Sequence, residues 1–318
     1  MSNQIQIVNA PRPTMKDVAS RAGVALKTVS RVVNGEPGVT PETAKRVLGA
    51  IEDLGFRRNE SARLLRTGRT ATLGFITDTW GDPDSAAVYQ GLENIALEQG
   101  YLLYSGSTDS DPGREEQLSL AMCARRVDGL IIVPTRGSHD YLVSEIEAGV
   151  ATVFVLRPPE LVRADAVLPD ERGGAHAAIE HLVAQGHRKI GFLGGPDGHR
   201  SGTLRAGCAE ALAAAGLPVD QALLNLNRER LASADLSAVF CADQEYTRAA
   251  IRAVLPRRVA IVGFGDFPLA DLVSPPVSVV SYDPVRIGRT AGELLIRRLA
   301  GDQTPPRRVE VPVRLIAR

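Results

Sequence analysis

The chain has 318 residues, 44% hydrophobic and 23% charged, which is long for one domain and comfortable for two or three at roughly 100–200 residues per domain. Its 37 Lys and Arg balance 37 Asp and Glu, but unevenly: residues 1–70 hold twelve basic side chains against six acidic ones, a net +6, and the remainder is correspondingly negative. No run approaches the ~18 consecutive apolar residues of a membrane span, and the opening MSNQIQIVNAPRPT lacks the apolar run and small-residue site of a secretion signal. Cys123, Cys208 and Cys241 are odd in number and too far apart for a disulfide framework or a zinc site. A cytoplasmic protein without membrane contact, metal or cofactor is expected, its basic first segment suited to a polyanion.

In chain order, residues 1–13 are polar, hold two prolines and keep no period, so they read as a flexible arm. In TMKDVASRAGVALKTVSRVVNG, Val18, Ala19, Ala22, Val24, Val29 and Val32 fall on two short helical stripes separated by Gly23. Two helices about one glycine turn predict a helix-turn-helix. Thr14 is placed to cap the first helix with Asp17 three residues on, and the second runs from near Ala25 to Asn34-Gly35. A third helix starts at Thr40-Pro41-Glu42, which is cap, first-turn proline and dipole-favoured acid; it carries a stripe of Ala44, Val47, Leu48, Ile51 and Leu54 and closes at Gly55.

Three such helices share one small core and leave one face of the second free. That face predicts base-edge contacts from Leu26, Lys27 and Arg31, while Thr14, Thr28, Ser30, Asn34, Thr40 and Thr43 hold phosphates or register. Arg57-Arg58-Asn59 then leads to SARLLR, a piece too short to stay helical alone.

From Ala71 the texture changes to strand-like runs, LGFIT, YLLYS, GLIIVP, ATVFVL, KIGFLGG, AVFCA, VAIVGF and VSVVSY, each separated by a polar or helical connection. This predicts an α/β body with parallel sheets, and its length favours two lobes over one sheet. Ligands in such sheets sit outside the carboxyl ends of strands, which nominates Asp78, Asp170, Asp243 and Asp266. Each also suits a helix N-cap, so both roles stand open. His176 and His181 do not share a helix face, GFLGGPDG lacks dinucleotide-site spacing, and no nucleophile has an evident base, so no catalytic residue is assigned.

The runs TMKDVASRAGVALKTVSRVVNG, VTPETAKRVLGAIEDLGF, NESARLLRTGRT and LGFI together resemble the start of a LacI/GalR family repressor. HLVAQGHRKIGFLGGP, AVFCAD and VAIVGFGD extend the resemblance over nearly the whole chain after the first dozen residues. The resemblance implies a helix-turn-helix head at 14–57, a hinge helix and linker at 58–70, and a periplasmic-binding-protein-like body at 71–318 that closes two lobes over a ligand. It further implies that the hinge lies in a minor groove with Leu65 as a wedge and Asn59 and Ala62 beside it, although Arg58 stands where many members have proline.

The chain departs from the family pattern in the body. Leu156, followed by Arg157, and Leu204, followed by Arg205, replace an acid and an arginine, Ala242 replaces an asparagine, and LLNLNRERLASADLSAVFCAD is short, so the second lobe is expected to be cut down. Arg157 and Arg205 suit a carboxylate, which makes a sugar acid the first expectation for an effector, ahead of a sugar. The function expected is a DNA-binding regulator: a homodimeric, or alternatively tetrameric, repressor of carbohydrate or sugar-acid genes acting on a palindromic double-stranded operator at the nucleoid. An effector-independent regulator with a degenerate cleft, and a receptor or enzyme on the same two-lobed body, are the alternatives.

Overall fold

The computed structural model describes residues 13–57, 69–195, 199–254, 259–268, 270–274 and 276–318, without the side chain of His199. The arm up to residue 12 and the expected hinge positions Asn59, Ala62 and Leu65 lie outside the described residues. The chain divides into two compact units at Thr70/Ala71.

The first unit holds helices α1 (Met15–Ala22), α2 (Leu26–Val33) and α3 (Pro41–Leu54). Thr14 precedes α1 and donates from both its backbone N–H and its hydroxyl to Asp17 Oδ2, each at 2.7 Å. These bonds hold the Asp17 carboxyl below its ordinary range. Gly23 ends α1 with φ of 62°, the left-handed conformation that lets α2 start three residues later at little steric cost. Thr40 caps α3 by accepting from Thr43 N, and Gly55 closes it with φ of 60°. Val18, Val29 and Val47 are fully buried with Ala19 and Ala50 around them. Leu48, expected in the apolar stripe, is instead 56% exposed; the three-helix core is too small to cover the whole width of α3's apolar face.

The second unit alternates strand and helix: β1 (Thr72–Thr77), α4 (Pro83–Glu98), β2 (Leu102–Ser107), α5 (Pro112–Ala124), β3 (Gly129–Ile132), α6 (Val143–Glu147), β4 (Ala151–Val155), β5 (Asp165–Pro169) and α7 (Glu171–Ala184). There follow β6 (Ile190–Leu193), α8 (His199–Ala214), α9 (Gln221–Leu224), α10 (Arg228–Leu231), β7 (Ala238–Cys241), α11 (Gln244–Val254), β8 (Ala260–Phe264), β9 (Ser278–Ser281), α12 (Pro284–Leu299), β10 (Arg308–Val311) and β11 (Arg314–Ile316). Two sheets result, ordered β10-β5-β4-β3-β1-β2 and β11-β9-β8-β7-β6. All pairs are parallel except β11 with β9. Each sheet is the centre of a lobe, and the chain crosses between lobes after β5, after β9 and after β10. Between α8 and β7 stand only the one-turn helices α9 and α10 and a single bridge from Leu193 to Leu226.

All eight strand-like runs are strands, and the α/β body with parallel sheets is as expected. Three further strands were not evident. In β5 the acidic Asp165 disguises a fully buried strand; it is neutralised by a two-pronged bond from Arg298 at 2.7 and 2.9 Å and by Arg307 N at 2.7 Å. β10 places exposed Arg308 and Glu310 between Val309 and Val311 at a sheet edge, and β11 is three residues long. Among the described residues, no helix is long and apolar enough to cross a membrane, and no three His, Cys, Asp or Glu are grouped to hold a metal.

The last crossing helix, α12, lies backbone to backbone on α4 in the first lobe. A Cβ built on Gly91 would stand 2.0 Å from Val285 O, and one on Gly288 2.0 Å from Val88 O. No side chain fits there, so Gly288→Ala should destabilise the body by about 1–3 kcal/mol through forced separation of the helices. Gly49, mid-helix in α3 and exposed, has nothing within 4 Å, so Gly49→Ala should stabilise the head by about 0.5–1 kcal/mol. Urea unfolding of the full chain, with head and body followed separately by NMR, checks both. Equal and small effects at the two sites would contradict the close helix contact.

Candidate functional site

On α2, Val29 is buried in the head core while Leu26 and Lys27 are exposed and Ser30, Arg31 and Asn34 are half-buried. At about 100° per residue, Leu26, Lys27, Ser30, Arg31 and Asn34 span an arc of roughly 140°, and Thr28 falls outside it. Asn34 Nδ2 donates to Ser30 Oγ at 3.2 Å and to Glu36 Oε1 at 3.1 Å, which orders the far end of this face. Thr14 and Thr40 are exposed at the starts of α1 and α3, where free N–H groups favour a phosphate; Thr43 lies one turn into α3, bonded to Thr40 at 2.9 Å.

The second candidate is the cleft between the lobes of the body, at the carboxyl ends of β1, β4, β8 and β9. Asp78, after β1, and Arg157, after β4, are brought together: Arg157 Nη2 donates to Asp78 Oδ2 at 2.8 Å and its Nη1 to Pro134 O at 3.0 Å. Burial opposes ionisation of Asp78, but bonds from Ser110 and Arg157 outweigh it and keep this carboxyl below its usual range. Beneath them, the buried Glu115 accepts from Thr135 N, Tyr141 Oη at 2.8 Å and His139 Nε2 at 3.1 Å, fixing the loop that presents Pro134 O. His139 Nδ1 accepts from Glu160 N at 3.1 Å, which assigns the ring proton to Nε2.

The other nominated residues are apart from this pair. Asp170 caps α7 by accepting from Gly173 N at 2.8 Å, and Asp243 caps α11 by accepting from Tyr246 N at 2.8 Å. Asp266 is paired with Arg318 at 3.0 and 2.9 Å. Arg205 donates to the carbonyls of Leu224 and Gly195 and lies over the ring of Phe192, so its guanidinium joins α8 to the end of β6. Leu156 and Leu204 are core residues.

Sequence reasoning missed the group that joins the lobes. Arg200, one turn before Leu204 on α8, donates through Nε to Glu171 Oε1 at 3.2 Å and through Nη2 to Leu156 O at 3.1 Å, with Phe264 under its guanidinium at 5.6 Å. Burial works against its charge, but Tyr282, Glu171, Asp243 and Asp84 raise its pKa further above the ordinary value. The spacing i, i+4 to Leu204 was the available signal. Beside it, Tyr282 Oη donates to Asp84 Oδ2 at 2.5 Å. A Cβ built on Gly265, whose φ is 87°, would lie 3.7 Å from Gln244 Nε2 and 3.9 Å from Asp84 Oδ2. Thus a donor from the second lobe and an acceptor from the first face the same point above a residue without a side chain, and Gln244 Nε2 is buried without a partner.

A helix-turn-helix unit and a two-lobed α/β body with polar groups at its strand ends are the architecture of a DNA-binding regulator. Comparison with known proteins gives the family. The model for bacterial regulatory proteins of the lacI family matches residues 14–59, that for periplasmic binding proteins and the sugar binding domain of the LacI family matches 70–242, and a periplasmic binding protein-like domain matches 179–318. The regulator CelR of Thermobifida fusca is 32% identical over 96% of this chain and 98% of its own. A solved complex of a transcriptional regulator CelR with cellobiose is 29% identical, with a TM-score of 0.67 over 96% of this chain and 99% of its own. The Lac repressor dimer bound to operator and the anti-inducer ONPF shares the fold, at 22% identity and a TM-score of 0.83 over 97% and 98%. The chain belongs to the LacI family of bacterial regulatory proteins, as a DNA-binding transcription regulator and not an enzyme.

Burial, with Asp82 and Asp266 nearby, raises the Asp84 pKa against the opposing bond from Tyr282. A carboxyl whose folded pKa lies above its unfolded value contributes stability at low pH and loses it as pH rises through the folded value. Asp84→Asn, whose carbonyl still accepts from Tyr282, should therefore stabilise the protein at pH 7 by about 0.5–1 kcal/mol, modest because the site is partly solvated. The gain should shrink as the pH is lowered into the acidic range. Melting curves from pH 4 to 8 check this, and a destabilised variant at pH 7 would contradict it.

Proposed function

We propose that this chain is a homodimeric repressor acting where the DNA is, in the cytoplasm. Its paired α2 helices read the halves of a roughly palindromic operator through Leu26, Lys27 and Arg31, while Thr14, Thr28, Ser30, Asn34, Thr40 and Thr43 hold the backbone. The observation that carries this reading is the exposed arc on α2 in a segment of net charge +6. A second copy is needed because one small head touches few bases.

The cleft is proposed to take a neutral polyhydroxylated effector in preference to a sugar acid. Arg157 is paired with Asp78, Arg200 with Glu171 and Arg318 with Asp266, while Arg205 serves carbonyls. Asp84 and Gln244 instead offer an acceptor and a donor to one point, which a hydroxyl satisfies in both senses. The cellobiose held by CelR is of this class. An effector-independent repressor is the second reading, favoured by the burial of Leu156 and Leu204 in the core.

One titration series tests these readings. Lys27→Ala should cost about 1–3 kcal/mol on operator and little on random DNA; an equal loss on both would assign Lys27 to the backbone. On the wild-type complex, neutral mono- and disaccharides should change operator affinity where sugar acids of equal size do not. Response to the acids alone would refute the proposed effector class, and no response to any would favour the second reading.

A further inference from the structure

The chain enters the body through a strained residue. Ala71, the first residue of the second unit, has φ of 52°, in the left-handed region that residues other than glycine rarely adopt. Such strain persists only where the surroundings over-determine it. Here they act from both sides. Ala71 O accepts from Leu102 N, at the start of β2, at 2.9 Å, and Ala71 N donates to Oδ2 of Asp128, just ahead of β3, also at 2.9 Å. The backbone N–H of Asp128 donates to Thr72 O at 2.8 Å. Asp128 therefore holds the chain twice, through its side chain at Ala71 and through its backbone at Thr72.

The backbone bonds continue the sheet, since β1 lies between β2 and β3. The carboxylate at Ala71 N is no part of that ladder. Its own position is fixed by the turn before it. Helix α5 gives way to Arg126, a second left-handed residue other than glycine, at φ of 58°; its N–H donates to Cys123 O at 2.7 Å, and Val127 behind it is buried. On the other side, a Cβ built on Gly129 would stand 3.0 Å from both Ala151 O and Leu295 Cδ1, so the backbone next to Asp128 is closely packed. A strand that begins at Thr72 needs no such device. Fixing φ at Ala71 sets the direction in which the chain leaves the sheet towards residue 70, where the unit that holds the helix-turn-helix ends.

We propose that Asp128 is a positioning residue for operator binding: its carboxylate holds Ala71 in the left-handed conformation and thereby sets the spacing at which paired heads engage two half-sites. This rests on the dimeric reading above. In a dimer the second head binds at an effective concentration governed by how each head is tethered, and a fixed exit from the body concentrates the heads at one separation.

The probe is a palindrome that the wild-type full-length protein selects from random-sequence duplexes. It is remade with its halves a base pair closer, with its halves a base pair farther apart, and with one half scrambled. Wild type should prefer the selected spacing about tenfold or more. Asp128→Ala should lose about tenfold on that spacing and little on the half-scrambled duplex, so that its preference among spacings flattens. Asp128→Asn, whose side-chain oxygen still accepts from Ala71 N, should keep the wild-type preference. Ala71→Val tolerates a left-handed φ less well than alanine does and should flatten the preference with the carboxylate intact, which keeps the test informative if Asp128→Ala fails to fold. A merely structural role would weaken every duplex by the same factor. That result, or a spacing preference that survives in both Asp128→Ala and Ala71→Val, overturns this proposal alone. A wild type indifferent both to spacing and to the scrambled half overturns the dimeric reading, and this proposal with it.

Discussion

A guanidinium cannot shed its charge, so wherever Arg200 is buried the surrounding chain must supply acceptors. Taking such a charge out of water costs several kcal/mol unless it is paired and hydrogen-bonded. The acceptors come from both lobes: Glu171 at the start of α7 in the second and the carbonyl of Leu156 at the end of β4 in the first. Leu156 adopts φ of 64°, a left-handed conformation that costs a branched residue roughly 1 kcal/mol or more, and the same turn points its side chain into the core. Strain, a half-buried charge and hydrophobic burial thus meet at one residue.

The rest of the cleft follows from that bridge. With Arg200 beside them, Tyr282 and Asp84 form a half-buried polar pair, and Gln244 reaches the gap that Gly265 leaves. On the far side, the Glu115 and His139 network fixes the loop that supplies Pro134 O to Arg157, so Asp78 is held by a chain of bonds that begins in the core. Among the described residues, Arg157 and Arg200 are both paired with carboxylates of the chain itself. The close contact of α4 with α12 matters here too, since Asp84 stands on the first helix and Tyr282 just before the second.

Local chemistry made the head legible: a cap pair at Thr14 and Asp17, glycine stops at 23 and 55, and valines at helical spacing all act over a few residues. The eight apolar strands were legible for the same reason. What stayed hidden depends on partners distant in sequence. Strand β5 carries Asp165, which is tolerable only because Arg298 arrives from α12, 133 residues later. In the cleft, Asp78 and Arg157 were both marked by strand ends, but nothing local showed that they neutralise each other. Nothing local marks Arg200, because the family pattern points to Leu204 and its neighbour Arg205, whereas the relevant guanidinium sits one helical turn earlier. Asp84 and Tyr282 are 198 positions apart and meet only through the crossing after β9.

Hydrogen–deuterium exchange on the full chain, wild type against Arg200→Leu, tests the bridge between the lobes most directly. If Arg200 joins them, its loss should speed exchange together at the end of β4, residues 151–157, and at the start of α7, residues 171–175, while the helices of the head keep their protection. Faster exchange confined to α8, with both of those segments unchanged, would show that the lobes are held by other contacts and that Arg200 is not what joins them.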